Sequence, residues 1–258
     1  MFKALFFDAD NTIFDNHKCA EFYLRRTCEK MGIPYTREFY DTYFLVNTKV
    51  WKMVEEGKIT RPEARRRRFI EVFDILKIDL DPAKAEEYLM EGLRLSHELV
   101  EGAEEVLEKL SHYYPIYLAS NASPGQQQGR LALAGVDKYF TGFFASGELG
   151  AEKPKREFFE RAINTLEGVK PLEVMMIGDS LRADIVGGSA YGLTTCWFDF
   201  YNNGGDFPSA KPDFTIYSLS ELLPMLLPDG EYFAKTESVL KVSDELFKKN
   251  LKAYEELS

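Results

Sequence analysis

Ala4-Leu5-Phe6-Phe7-Asp8-Ala9-Asp10-Asn11-Thr12 is a short apolar run that stops abruptly at two acids, two residues apart. Four apolar residues in unbroken succession, rather than in alternation, predict a strand covered on both faces, as in a parallel sheet. In extended backbone, residues i and i+2 share a face. Asp8 and Asp10 are therefore expected to project together from the carboxyl end of that strand, where open α/β sheets hold their ligands. Two neighbouring carboxylates repel, so either one is protonated or a cation lies between them. The plainer alternative for such a pair is an Asx turn at a strand end.

Working outward, runs of the same kind recur at Ile116–Ala119, Gly142–Ala145, Val174–Ile177, Thr195–Phe198 and Phe214–Tyr217. Helical patterns at Ala103–Ser111, Pro154–Leu166 and Arg182–Tyr191 separate them. That rhythm predicts an α/β fold with a Rossmann-like parallel sheet core. Residues 15–99 interrupt it with amphipathic stretches only: Ala20–Lys30, Arg37–Val46, Glu63–Leu76 and Pro82–Leu99. Thr60-Arg61-Pro62-Glu63 is a capping-box helix start with Pro in the first turn. The expected organisation is a sheet domain of residues 1–14 and 100–224, with an all-helical domain, 15–99, inserted after the first strand. A helical extension, 225–258, closes the chain; Val239, Leu240, Leu246, Phe247, Leu251, Tyr254 and Leu257 recur there at helical spacing. This stripe either docks on its own domain or joins two copies into a homo-oligomer.

The 258 residues carry 32 Lys+Arg against 42 Asp+Glu, a net charge of −10. That balance argues against a partner of polymeric nucleic acid, which demands a basic surface. A small phosphorylated substrate remains compatible if a cation mediates. The hydrophobic content of 45% supports a sizeable core. No apolar run approaches the ~18–20 residues of a membrane span, and the N-terminal stretch, with Asp8 in it, lacks a signal peptide's cleavage region. Cys19, Cys28 and Cys196 are odd in number with no CxxC spacing. Buried thiols in a cytoplasmic protein without a membrane partner are the expectation.

Three further groups sit where the remaining strands should end. Ser120-Asn121 follows the second strand with a hydroxyl, an amide and free backbone N–H groups. Lys153-Pro154 follows the third, with Pro read as opening a helix and Lys at its positive end. Gly178-Asp179-Ser180 follows the fourth, with Asp184 five residues beyond Asp179. Each alone is ordinary turn or cap chemistry. Four such groups, in order, at one edge of one sheet are not.

With these residues in view, the chain resembles the haloacid dehalogenase-like hydrolase superfamily across nearly all of residues 1–220. Its four motifs match Asp8-x-Asp10-x-Thr12, Ser120-Asn121, Lys153-Pro154 and Gly178-Asp179-x4-Asp184. The inserted helices resemble that family's C1-type cap, which would close over the strand ends, with hinges near Phe14–His17 and Leu99–Gly102. Asn11 departs from the Gly that many members carry. The combination Asp-x-Asp-Asn-Thr is similar to the 5′-nucleotidase and N-acylneuraminate-9-phosphatase branches.

The resemblance implies a phosphatase in which Asp8 is the nucleophile and forms an aspartyl-phosphate. Asp10 would protonate the leaving oxygen and then deprotonate the attacking water. Ser120, Asn121 and Lys153 would bind the phosphoryl group. Mg²⁺ would be held by Asp8, Asp179 and the backbone carbonyl of Asp10, with Asp184 acting behind them or through a water and Thr12 holding the loop. The implied substrate is a small phosphorylated metabolite: a nucleoside 5′-monophosphate first, a sugar phosphate next. Phosphoryl transfer to a second hydroxyl, as in a phosphomutase, and a non-catalytic binding or regulatory module are the competing readings. Dehalogenase chemistry would lack the second Asp and need no metal.

In the inserted domain, Arg65–Arg68 reads as a solvated face or, more sharply, as an anion pocket. Tyr40, Tyr43, Phe44 and Trp51 read as core rings, with nucleobase stacking the sharper alternative. His17 could touch substrate or lie at the hinge surface.

Overall fold

The computed structural model describes residues 2–228, apart from 124, 203, 205 and 206. The extension expected over 225–258, with its apolar stripe and its subunit contact, lies from 229 onward outside the described residues. The described residues form two compact units: residues 2–15 with 99–228, and Asn16–Glu98.

The second unit consists of α1 (Asn16–Met31), α2 (Arg37–Glu55), α3 (Arg61–Leu76) and α4 (Pro82–Leu95). Their starts follow from capping. Thr36 accepts from the Phe39 amide, Asp81 accepts from the Ala83 amide, and Thr60 and Glu63 cap each other. Helix α2 runs past the expected Val46 because buried Val50 continues its apolar stripe. Helix α4 stops before the expected Leu99, at Ser96, whose backbone is extended. Helix α1 packs on α4 and α2 on α3 around Leu24, Tyr43, Phe69, Val72 and Leu89. Gly92 permits the first approach, since a Cβ there would stand 2.8 Å from Tyr23 Cβ.

The arginine run divides as a helix must, at ~100° per residue. Arg66 and Arg67 are exposed, whereas Arg68 is only 5% exposed and grips Glu86 through two bonds of 2.8 and 2.7 Å. Arg68 also donates to the Tyr43 hydroxyl and to Asn47, so this member of the run belongs to the core and not to a solvated face. His17 stacks on Phe44 and shares a hydrogen bond with Tyr40.

The other unit is an α/β sandwich on a six-stranded parallel sheet. Its strands are β1 (Ala4–Phe7), β2 (Ile116–Ser120), β3 (Gly142–Ala145), β4 (Val174–Gly178), β5 (Thr194–Phe198) and β6 (Phe214–Ile216). Their order is β3-β2-β1-β4-β5-β6, the doubly wound Rossmann order. The covering helices are α5 (Ala103–Ser111), α6 (Gln126–Ala134), α7 (Ser146–Leu149), α8 (Arg156–Asn164), α9 (Gly187–Tyr191) and α10 (Leu222–Leu226). Phe6, Phe144, Phe158, Phe159 and Met176 form the core on one face of the sheet. Phe14 and Leu99, where the chain leaves and re-enters this unit, pair antiparallel, and the Val100 amide donates to the Ile13 carbonyl at 2.9 Å.

Two helical expectations are corrected. Helix α8 begins at Arg156 rather than Pro154. The stretch Arg182–Tyr191 is a π-helical turn, Leu181–Val186, running into the short α9. Among the described residues, no helix is long and apolar enough to cross a membrane.

Candidate active site

Phe7, the last residue of β1, pairs with Leu118 on one side and Ile177 on the other. The register levels the ends of the three central strands, so the groups that follow them converge.

Lys153 is the hub. Its Nζ donates to Asp8 Oδ1 at 2.6 Å, to Asp184 Oδ1 at 2.7 Å and to the Ala119 carbonyl at 2.5 Å, and the residue is 3% exposed. Burial alone would favour the neutral amine, but Asp184 and Asp8 outweigh it and hold the ammonium's pKa above the ordinary lysine value. Asp8 responds oppositely. Burial pushes its carboxyl up, Lys153 draws it down, and Asp184 and Asp10 push it up again, to about 7. Asp179 lies well above the carboxylate range for the same reasons, burial first and then Asp8 and Asp184.

One carboxylate oxygen from each of Asp8, Asp179 and Asp184 lies within 4.8 Å of the other two. Three acids face one ammonium through oxygen atoms only, a donor set suited to a hard divalent cation. Asp184, expected behind the metal ligands, stands in this cluster itself. The carboxylate of Asp10 is turned elsewhere.

Glycine makes room for Asp184. A Cβ on Gly178 would stand 2.2 Å from Asp184 Oδ2, and the same oxygen accepts from the Ser180 amide at 3.1 Å. The Ser180 hydroxyl caps the π-helical turn by accepting from the Ala183 amide. Lys153 is delivered by a loop, not by the start of a helix as its sequence context suggested. The Lys153–Pro154 peptide is cis, and both precede α8. Asn121 clamps that loop: its Nδ2 donates to the Lys153 carbonyl at 2.9 Å and its Oδ1 accepts from the Lys153 amide at 2.8 Å. Its amide, read from sequence as an anion donor, thus faces the backbone that carries the lysine.

Asn11 adopts a left-handed φ of 58°, a conformation that Asn tolerates better than most residues. Its Nδ2 donates to Asp179 Oδ2 at 3.1 Å, while Trp197 Nε1 donates to the Asp179 carbonyl at 2.9 Å. Thr12 is fully buried and, among the described residues, its Oγ1 finds no hydrogen-bond partner. The loop is held instead by backbone bonds, from the Asn11 amide to the Phe14 carbonyl and from the Ile13 and Phe14 amides to the Ala9 carbonyl. Ser120, 4% exposed, accepts from the Ala122 amide at 3.1 Å.

Two residues escaped the sequence reading. Asp10 receives Gln127 Nε2 on one oxygen and Arg130 Nη1 on the other, each at 2.8 Å. Arg130 Nη1 also donates to Gln127 Oε1 at 2.8 Å. The signal available in sequence was a Gln and an Arg three apart on the helix after the second strand, a spacing that places both on one face.

Residues 2–192 match the family model described as haloacid dehalogenase-like hydrolase. The chain is 31% identical over 225 residues to YfnB of Bacillus subtilis (strain 168), which is named as a HAD-hydrolase; the match covers 87% of this chain and 95% of that protein. A crystal structure of YfnB bound to magnesium matches the fold with a TM-score of 0.83, covering 88% of this chain and 99% of that one. The pyrimidine 5′-nucleotidase PynA of Streptococcus pneumoniae is 30% identical over 226 residues, covering 87% of this chain and 95% of that protein. The N-acylneuraminate-9-phosphatase of Homo sapiens is 27% identical over 253 residues, covering 87% and 93%.

Proposed function

The chain belongs to the haloacid dehalogenase-like hydrolases, and on that footing we propose that it is a Mg²⁺-dependent phosphatase of small phosphorylated metabolites, nucleoside 5′-monophosphates first. The observation that carries the reading is Lys153, buried between Asp8 and Asp184 at 2.6 and 2.7 Å, with Asp179 completing an oxygen-only acidic cluster.

In this reading an Asp8 oxygen attacks phosphorus, the bond from phosphorus to the ester oxygen breaks, and Asp10 gives its proton to the departing oxygen. Water then attacks the aspartyl-phosphate and passes its proton to Asp10. The bond from phosphorus to Asp8 breaks and phosphate leaves. Lys153, kept charged by its two acids, faces the charge that builds on the phosphoryl oxygens, with Ser120 beside it. Asn121 serves by holding the Lys153 backbone. Asp8, Asp179 and Asp184, with the Asp10 carbonyl, would hold Mg²⁺. Bound there, the ion would neutralise the acids and the phosphate dianion so that an anionic nucleophile can approach. Thr12 is left with a packing role.

Likeness to PynA supports a nucleoside monophosphate, and likeness to the acylneuraminate phosphatase makes a sugar phosphate the next choice. The net charge of −10 and three buried, unbridged cysteines support a cytoplasmic setting with no nucleic-acid or membrane partner.

The test is phosphate release from a panel of nucleoside 5′-monophosphates and sugar phosphates with Mg²⁺. Asp8→Asn protein is expected to lose at least ~10³-fold in kcat, as loss of a covalent nucleophile does, while still melting cooperatively. Substantial activity in that variant, or full turnover after exhaustive chelation, overturns the nucleophile or the metal respectively. An isomeric phosphate ester in place of free phosphate points to a mutase.

A further inference from the structure

We propose that Gln127 and Arg130 are positioning residues that aim the carboxyl of Asp10 at the leaving oxygen, and that they do so as one unit. The inference rests on the hydrolase reading above, with Asp10 as the proton carrier.

Asp10 lies in the loop after β1 with its side chain 42% exposed, so packing alone does not hold its rotamer. Helix α6 supplies what packing does not. Gln127 and Arg130 lie three residues apart on one face, and each reaches a different oxygen of the same carboxylate at 2.8 Å. Arg130 further donates to Gln127 Oε1, which turns the amide so that its NH₂, not its oxygen, faces Asp10. The two side chains are therefore a cradle rather than two separate contacts.

Arg130 is itself immobile. It is fully buried, and its guanidinium lies 3.9 Å from the centroid of the Phe14 ring. A buried cation is retained only where partners compensate the lost hydration, and Asp10 is such a partner. The donors match the carboxylate that remains once Asp10 has given up its proton. The cradle thus holds the group in place between the first transfer, to the ester oxygen, and the second, from water.

Positioning of this kind has a signature that mere packing lacks. Proton donation matters most when the leaving oxygen is strongly basic, as in an alkyl ester, and little when it is a nitrophenolate. A misaimed Asp10 should therefore slow phosphoryl transfer from alkyl phosphates and leave transfer from p-nitrophenyl phosphate nearly untouched.

The experiment measures kcat/KM of full-length wild-type, Gln127→Leu, Arg130→Lys and Asp8→Asn proteins with Mg²⁺, on an alkyl monophosphate found active in the panel and on p-nitrophenyl phosphate. Gln127→Leu, which changes no charge, is expected to lose about 10- to 100-fold on the alkyl ester, the order a misplaced catalytic group incurs. Its loss on the aryl ester should stay under about 3-fold, a ratio set by how little acid assistance that ester needs. Arg130→Lys should fall between wild type and Gln127→Leu on the alkyl ester. Equal losses on both esters, or none, in a Gln127→Leu protein that melts as wild type does overturn the inference and leave the hydrolase reading standing. Wild-type protein that hydrolyses neither p-nitrophenyl phosphate nor any ester of the panel, or Asp8→Asn protein as active as wild type, overturns that reading and the inference with it.

Discussion

Asp8 holds a proton up to about pH 7 because burial disfavours its charge and Asp184 and Asp10 add to that, against the pull of Lys153. In an unfolded chain it would ionise near 3.8. Between those values the folded protein binds a proton that the unfolded chain has lost, so this group lowers stability as pH rises through the window. That is the reverse of a salt-bridged aspartate whose pKa is depressed. Asp179 acts in the same direction. A divalent ion needs both acids ionised. Mg²⁺ should therefore raise the melting temperature more at pH 8 than at pH 5, and calorimetry with and without the ion at the two pH values checks it. A gain no greater at pH 8 would contradict the cluster's role. At this scale the sequence was readable where chemistry repeats at short spacing. Asp8 and Asp10 declare themselves by standing two apart at a strand end, and Asp179 and Asp184 by following another. Asn121's grip on the Lys153 backbone and the reach of Arg130 to Asp10 were not readable, because the partner of a side chain across more than 30 or 100 residues leaves no local spacing.

Among the elements, β4 and the turn after it fit closely. Gly178 ends the strand, and the carboxylate of Asp184 occupies the space that a Cβ would take, 2.2 Å away. Gly178→Ala is expected to destabilise the protein by about 1–3 kcal/mol, the usual result of overpacking. It should also displace Asp184 from Lys153 and lower phosphatase activity. Urea unfolding with parallel activity assays would show both, and an alanine protein matching wild type in both would contradict the close packing drawn from these contacts. Strands were legible because continuous apolar runs bounded by turns have few other uses. A helix start was legible from its cap at Thr60, whereas the starts at Arg37 and Pro82 were read from periodicity, their caps Thr36 and Asp81 being found in the structure. The π-helical turn was not, since a shift of hydrogen bonding over six residues is too short to leave a periodicity. Pro154 misled because proline suits both a first helical turn and the loop before one, and here the helix begins two residues later.

For the molecule as a whole, Phe14 and Leu99 bracket the inserted helices and pair with each other. The chain leaves the sheet unit and returns on adjacent antiparallel segments, whose Cα atoms lie roughly 4.5–5.5 Å apart. Replacing residues 16–98 with a short Gly/Ser linker should leave a unit that still folds, because closing so small a gap costs little. Circular dichroism is expected to show a cooperative melt for the shortened chain, and a melt without cooperativity would show that the sheet unit depends on the helices for its fold. The alternation of strands and helices predicted a parallel sheet, yet it could not give the order of the strands. That order arises from crossover handedness and packing, not from any single segment.

The central place of β1 has a consequence for how the protein is made. Its two neighbours, β2 and β4, are encoded roughly 110 and 170 residues downstream. At about 5–20 residues per second on a ribosome, β4 emerges on the order of 10–30 s after β1. Until β2 follows, a nascent chain carries Ala4-Leu5-Phe6-Phe7 with no strand to join, and the edge that takes β4 stays unpaired for the whole interval, while the helices encoded between β1 and β2 are already complete. The acidic cluster of Asp8, Asp179 and Asp184 is thus completed only after β4 has followed, although Asp8 is translated roughly 170 residues before Asp179.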